Sequence, residues 1–132
     1  SIFLLYHIFL RFAIVRYCPN NISKAIKRFG ERSSVRLGGI ICNQRNAYRE
    51  REIVEKLAGK ISTNVISWIP RDNIVQECEM KNCTVVEGCP ESAQAKVYDS
   101  LASSIISNAN MVIPTPLDDE SFDLMIKQAE MV

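Results

Sequence analysis

The sequence predicts an α/β domain, a parallel β-sheet flanked by helices, on three observations. Apolar runs of strand length, 35–42 (VRLGGIIC) and 65–69 (VISWI), alternate with amphipathic segments of helical period at 20–30, 48–60 and 91–108. Strands separated by helices pair in parallel through right-handed crossovers. Finally, 68–76 (WIPRDNIVQ) reads as a strand end, a proline-fixed turn, an Asp helix cap and a new helix, the junction expected where a strand of an open sheet feeds the next helix.

Each element has a local reason. The first fifteen residues are almost wholly apolar apart from His7 and Arg11, and 2–10 suits a buried strand. Attachment to a membrane is the alternative, but a span needs about twenty apolar residues, and Arg11 would be costly near its middle. Asn20-Asn21 can cap a helix that carries Ile22, Ala25, Ile26 and Phe29 on one face and ends at Gly30. The run 35–42 is a buried strand whose two glycines permit close backbone packing. A polar turn, 43–47, leads into a charged helix over 48–60, with Ile53, Val54, Leu57 and Ala58 as its core face. The strand 65–69 follows; Pro70 stops it, and Asp72 accepts from backbone N–H groups to start a helix at Asn73 that runs to about Met80. Residues 84–87 are expected to be extended and 88–90 to turn. A long helix over 91–108 should face Ala95, Tyr98, Leu101, Ala102 and Ile105 inward. Residues 111–113 are short and extended, closed by Pro114 and Pro116. Asp118 and Asp119 then cap a last helix that buries Phe122, Met125, Ile126 and Ala129.

Composition narrows the function. A chain of 132 residues suits one domain, and 16 Lys and Arg against 15 Asp and Glu leave a net charge of +1. That balance offers no electrostatic argument for nucleic acid or an anionic membrane. Five cysteines, none in a Cys-x-x-Cys pair, and no evident signal peptide point to reduced thiols in a cytoplasmic protein. Cys78, Cys83 and Cys89 are too irregularly spaced for a recurrent zinc or iron–sulfur motif, so no metal ligands are assigned. Cys42 ends an apolar strand and should behave as a small hydrophobe. His7, the only histidine, has no identifiable acid or nucleophile beside it, and no catalytic residue is assigned.

The candidate chemistry lies at two strand ends. Asn43 follows one buried strand directly; Arg71, Asp72 and Asn73 follow the next, with Gln76 one helical turn on. Ligands of open α/β sheets sit outside the carboxyl ends of the strands. A carboxamide can both donate to and accept from an adenine edge, so the pair of junctions reads as a purine-recognising rim. A capped helix with solvated charges is the plainer reading of 68–76 taken alone. No G-x-x-x-x-G-K-S/T loop to cradle phosphates occurs, so the residues would hold only the base side of a nucleotide.

Taken in order, Asn20-Asn21-Ile22-Ser23-Lys24, Val35-Arg36-Leu37-Gly38-Gly39-Ile40-Ile41-Cys42-Asn43, Pro70-Arg71-Asp72-Asn73-Ile74-Val75-Gln76 and Val112-Ile113-Pro114-Thr115-Pro116 resemble the nitrogenase iron protein family, also called dinitrogenase reductase. The resemblance runs from about Tyr17 to the C-terminus and matches only the C-terminal part of the family's chain. It divides the sequence into a divergent apolar segment, 1–16, and a family-like part, 17–132. It implies a partial P-loop NTPase fold without the N-terminal phosphate-loop half. The family is a homodimer around one 4Fe-4S cluster and couples MgATP hydrolysis to single-electron delivery into a molybdenum–iron partner. Carried over, the resemblance places Asn43, Pro70, Arg71, Asp72, Gln76, Glu79, Gln94 and Tyr98 on the adenine and ribose side of ATP. It matches none of the five cysteines to a cluster ligand; Cys42 corresponds to a non-ligand position beside Asn43. On this reading the chain alone neither hydrolyses ATP nor holds the cluster. The competing readings are a non-catalytic module docking on an intact homologue, and the product of a frameshifted gene copy.

Overall fold

The computed structural model describes residues 6–7 and 18–131. Three parallel strands lie side by side in chain order: β1 (Tyr6–His7), β2 (Ile40–Asn43) and β3 (Val65–Ile69). Tyr6 stands opposite Ile40 on one edge of β2, and Asn43 stands opposite Ile69 on the other. Helix α1 (Cys18–Gly30) joins β1 to β2, and α2 (Glu50–Lys60) joins β2 to β3. The parallel, helix-flanked sheet of the α/β expectation is therefore present. Of the strand expected over 2–10, Tyr6 and His7 are strand; the rest of it, and the boundary between 1–16 and 17–132, lie outside the described residues.

β2 is shorter than the apolar run 35–42, and Gly39 is the reason. Its φ of +143° is a left-handed value, and a Cβ there would lie 2.5 Å from Ile66 Cγ1. The ladder begins one residue later, with a register shift between Ile40 and Ile41. Upstream, the Leu37 N–H donates to the Val112 carbonyl at 2.8 Å, and the Val112 N–H donates back to Leu37 at 3.0 Å. This antiparallel bridge pairs the extended segment around Val112 with the approach to β2.

The main core gathers Ile40 and Cys42 of β2, Val54, Leu57 and Ala58 of α2, Ile26 of α1, and Phe122, Met125 and Ile126 of α6 (Asp119–Glu130). Ile41 is buried as well, so β2 is covered on both faces, as a central parallel strand should be. Asp118 caps α6, accepting from the Ser121 N–H at 2.7 Å, and the four expected core residues of that helix are buried.

Three local expectations are corrected. First, α1 begins at Cys18, so Asn20 and Asn21 lie inside the helix rather than capping it. Its inward positions include Asn20, Ser23 and Ile26, whereas Ala25 is exposed and Phe29 is 61% exposed. The helix is rotated because Asn20 is buried against the backbone of Leu117, to which its amide both donates (2.7 Å) and accepts (2.8 Å). Second, 84–87 is not extended: α4 (Val85–Gly88) is a single helical turn. Thr84 and Glu87 form a reciprocal capping box, in which the Thr84 hydroxyl accepts from the Glu87 N–H and the Glu87 carboxylate accepts from the Thr84 N–H. Third, α5 (Ala93–Ile106) starts at its Ser92 cap and turns Ala102 outward, although Ala95 is buried and Tyr98, Leu101 and Ile105 are half-buried.

α3 (Ile74–Met80), α4 and α5 build a second, smaller core from Cys78, Val85 and Ala95, flanked by Ile74, Val75, Cys83, Cys89 and Tyr98. α5 also packs on β3, placing this subassembly beside the carboxyl end of the sheet. Among the described residues, no helix is long and apolar enough to cross a membrane.

Candidate functional site

The parallel register of β2 and β3 makes the site. Because Asn43 pairs with Ile69, the residues that follow the two strands emerge next to each other. The Gln44 N–H donates to the Ile69 carbonyl at 2.8 Å, extending the pairing one residue past β2. Pro70 then ends β3, and the Asp72 carboxylate accepts from the Ile74 N–H at 3.0 Å. Asn73, directly before the helix, makes no side-chain cap bond, so Asp72 starts α3 from one position upstream.

A cavity of about 410 Å³ opens at this junction, within the range of small-molecule sites. All eight residues singled out from the sequence line it: Asn43 from the end of β2; Pro70, Arg71 and Asp72 from the turn; Gln76 and Glu79 from α3; and Gln94 and Tyr98 from α5. Gln76 and Glu79 share one side of α3, as their spacing of three requires. A second hollow of about 460 Å³ continues past Arg71, Asp72 and Asn73 to Asn46. The lining is polar, with two cations (Arg45, Arg71) and two carboxylates (Asp72, Glu79) around a few apolar surfaces.

The eight are not equivalent. Pro70, Arg71, Asp72, Gln76 and Glu79 are exposed, while Asn43 and Tyr98 are half-buried. Gln94 is 2% exposed, and its amide donates to the Pro70 carbonyl at 3.2 Å and approaches the Tyr98 hydroxyl at 3.4 Å. Gln94 thus ties α5 to the proline turn from beneath, which makes it a support of the rim more than an open contact.

Sequence reasoning missed Gln44, Arg45 and Val75, which also line the cavity. Gln44 and Arg45 could have been found as the next residues out of β2. Buried Glu50 positions them: its carboxylate accepts from the Arg45 N–H at 3.0 and 3.3 Å, folding the β2–α2 turn back on itself. Beside it, burial pushes the Cys42 thiol up to about 12, with Glu50 adding to the rise and Arg51 opposing it. Cys42 is therefore an inert hydrophobe one residue from the cavity, as its place at the end of an apolar strand suggests.

The described residues of the single chain form no metal-holding group of their own: no group of three or more His, Cys, Asp or Glu among them is arranged to hold a metal ion. Cys42 is buried in the main core and Cys78 in the smaller one, against which the half-buried Cys83 and Cys89 pack.

This architecture, a parallel sheet with a polar cavity outside adjoining strand ends, coincides with a family relationship. A family model described as 4Fe-4S iron sulfur cluster binding proteins, NifH/frxC family, matches residues 12–132, nearly the whole chain and starting upstream of Tyr17. The chain belongs to the NifH/frxC family, whose members are nitrogenase-iron-protein-like and share the P-loop fold.

Proposed function

We propose that the cavity between β2, β3, α3 and α5 is the adenine and ribose end of a nucleotide site in a nitrogenase iron protein-like member of the family. The observation that carries this is convergence: eight residues drawn from four separate elements, chosen for their side-chain chemistry and family positions, line one cavity at the strand ends. Asn43, half-buried at the tip of β2, supplies a carboxamide with both donor and acceptor for a purine edge. Pro70 and Arg71 wall the base, the latter with a flat guanidinium suited to stacking. Gln76 and Glu79 offer further acceptors and donors from α3, and Gln94 holds the wall in place.

The family role is ATP-dependent single-electron transfer from a 4Fe-4S cluster to the molybdenum–iron protein, performed by a homodimer in the cytoplasm. These 132 residues contain no G-x-x-x-x-G-K-S/T loop, and the resemblance matches none of their cysteines to a cluster ligand. We therefore assign them the base side of nucleotide binding and neither hydrolysis nor electron transfer on their own.

Calorimetric titration of the chain with ATP, adenosine and guanosine tests the reading. Saturable binding that prefers adenine to guanine, and that Asn43→Ala weakens about three- to tenfold through loss of one or two neutral hydrogen bonds, is expected. A folded chain that binds none of the three at millimolar concentration, or binds both bases alike, refutes it. Phosphate release above the buffer rate by the purified chain would overturn the assignment of binding without turnover.

A further inference from the structure

The smaller core holds a second chemical feature apart from the cavity. Cys78, on the inner side of α3, is 2% exposed. The chain then doubles back sharply: Asn82 adopts a left-handed φ of 54°, and the Cys83 N–H donates to the Cys78 carbonyl at 3.1 Å. The Thr84–Glu87 box fixes the single turn of α4, and the Cys89 N–H closes it on Val85 at 2.8 Å. That return sets the Cys89 sulfur 4.0 Å from the Cys78 sulfur. Gly88 leaves the space for this; a Cβ there would lie 2.7 Å from the Cys83 sulfur and 3.2 Å from that of Cys78. Three thiols that look loosely spaced along the chain therefore meet at one point.

We propose that Cys78 and Cys89 are a reversible oxidative modification site, closing to a disulfide by exchange with low-molecular-weight disulfides of the glutathione class. Geometry selects the pair. The sulfurs are already in contact, and a disulfide needs an approach of about 2 Å more. The Cys83 thiol instead points to the Cys78 carbonyl, at 3.5 Å. Accessibility orders the steps, since exchange proceeds through an accessible thiolate. Cys89 is partly exposed, whereas burial, reinforced by Cys89 and Cys83, pushes the Cys78 thiol up to about 11. The Cys89 thiolate attacks the small disulfide, forming a mixed disulfide and releasing one small thiolate. The Cys78 thiolate then attacks the Cys89 sulfur, forming the Cys78–Cys89 bond, breaking the mixed bond and releasing the second. Two protein thiols are oxidised, one small disulfide is reduced, and the two protein protons end on the two small thiols. The product staples α3, which carries Gln76 and Glu79, to the segment that leads into α5.

The test uses the whole chain equilibrated with glutathione and glutathione disulfide, quenched by alkylation and digested with trypsin. Cleavage after Arg71, Lys81 and Lys96 puts Cys78 in peptide 72–81, and Cys83 and Cys89 together in peptide 82–96. A Cys78–Cys89 bond links the two peptides. The link is expected in the wild type and in Cys83→Ala, and lost in Cys89→Ala. At a fixed glutathione ratio it should fall about tenfold or more in concentrated urea, where only chain flexibility brings the thiols together. The urea comparison needs no variant, so a poorly folding substitution does not spoil it. A link that survives Cys89→Ala, a bond confined to peptide 82–96, glutathione left on Cys89 without a link, or equal linkage in urea each overturns the inference.

Discussion

Removing the Asn20 amide should destabilise this domain more than its polar, helical position suggests. Asn20 is fully buried, and its side chain makes a two-bond pair with the peptide of Leu117, tying α1 to the segment before α6. Asn20→Ala leaves that peptide's N–H and C=O without partners. Each unmade buried bond costs about 1–3 kcal/mol; Leu117 is half-buried, so water can reach part of the gap, and the low end of the range applies to each. The expected loss is about 2–3 kcal/mol, or roughly 6–12 °C in Tm for a domain of this size. Urea melts followed by the fluorescence of Trp68, the only tryptophan, which lies under the Arg51 guanidinium at 4.6 Å, would measure it. Asn20→Asp is the discriminating variant. It keeps the acceptor for the Leu117 N–H but puts a carboxylate oxygen against the Leu117 carbonyl, which favours the protonated form in the folded state. Its folded pKa is thereby raised, so its deficit should shrink as pH falls toward about 4, while that of Asn20→Ala should not. A stability within about 0.5 kcal/mol of wild type for Asn20→Ala, or parallel pH profiles for the two variants, would refute the reasoning.

Three further outcomes follow from the same structure. Gln94→Ala should lose about 1 kcal/mol of stability in urea melts through the unpaired Pro70 carbonyl, and should weaken adenosine binding severalfold in calorimetry because the proline turn is no longer held. The Cys42 thiol is raised from 9.0 to about 12 by burial, so folding favours its protonated form; the stability this contributes is intact below pH 9 and declines between about pH 9 and 12, at roughly 1 kcal/mol per pH unit. Melts of wild type and Cys42→Ala should therefore converge with rising alkalinity. Glu87 is held below the ordinary carboxylate range by the Thr84 backbone and hydroxyl, so its contribution is present above that range and lost as pH falls through its lowered value; Glu87→Gln should flatten the acid limb of the pH–stability curve.

How much was legible depended on whether a residue's role was set locally. The turn from β3 into α3 was readable because Pro70 and Asp72 act through bonds within a few residues, and α6 because its apolar period and Asp118 cap agree. α1 misled because its hydrophobic pattern and its buried face differ. Asn20 turns inward to bond a peptide 97 positions away, and Phe29 is left outside. An apolar scale cannot show which polar residue has a distant partner. At 84–87 the β-branched run Thr-Val-Val suggested extension, yet Thr-x-x-Glu is a capping box, and two reciprocal bonds outweigh a weak propensity. The thiol cluster was hidden for a related reason: spacings of five and six matched no motif, and only the reversal at Asn82 brings the sulfurs together.

The cavity itself follows from one rule applied twice. A parallel pair sends both chains out of the sheet at the same end, so polar residues just past β2 and just past β3 must be neighbours whatever lies between them. That is why Asn43 and Pro70–Asp72, 27 residues apart at the least, could be joined on paper. Gln94 needed more, since its place depends on how α5 packs against β3, and the structure changes its part from surface contact to internal brace. The same packing places α3 between two chemistries: Gln76 and Glu79 line the cavity, while Cys78 enters the small core behind it. A seven-residue helix cannot shift on one side and stay fixed on the other, so whatever tightens the thiol core also constrains the α3 wall of the cavity.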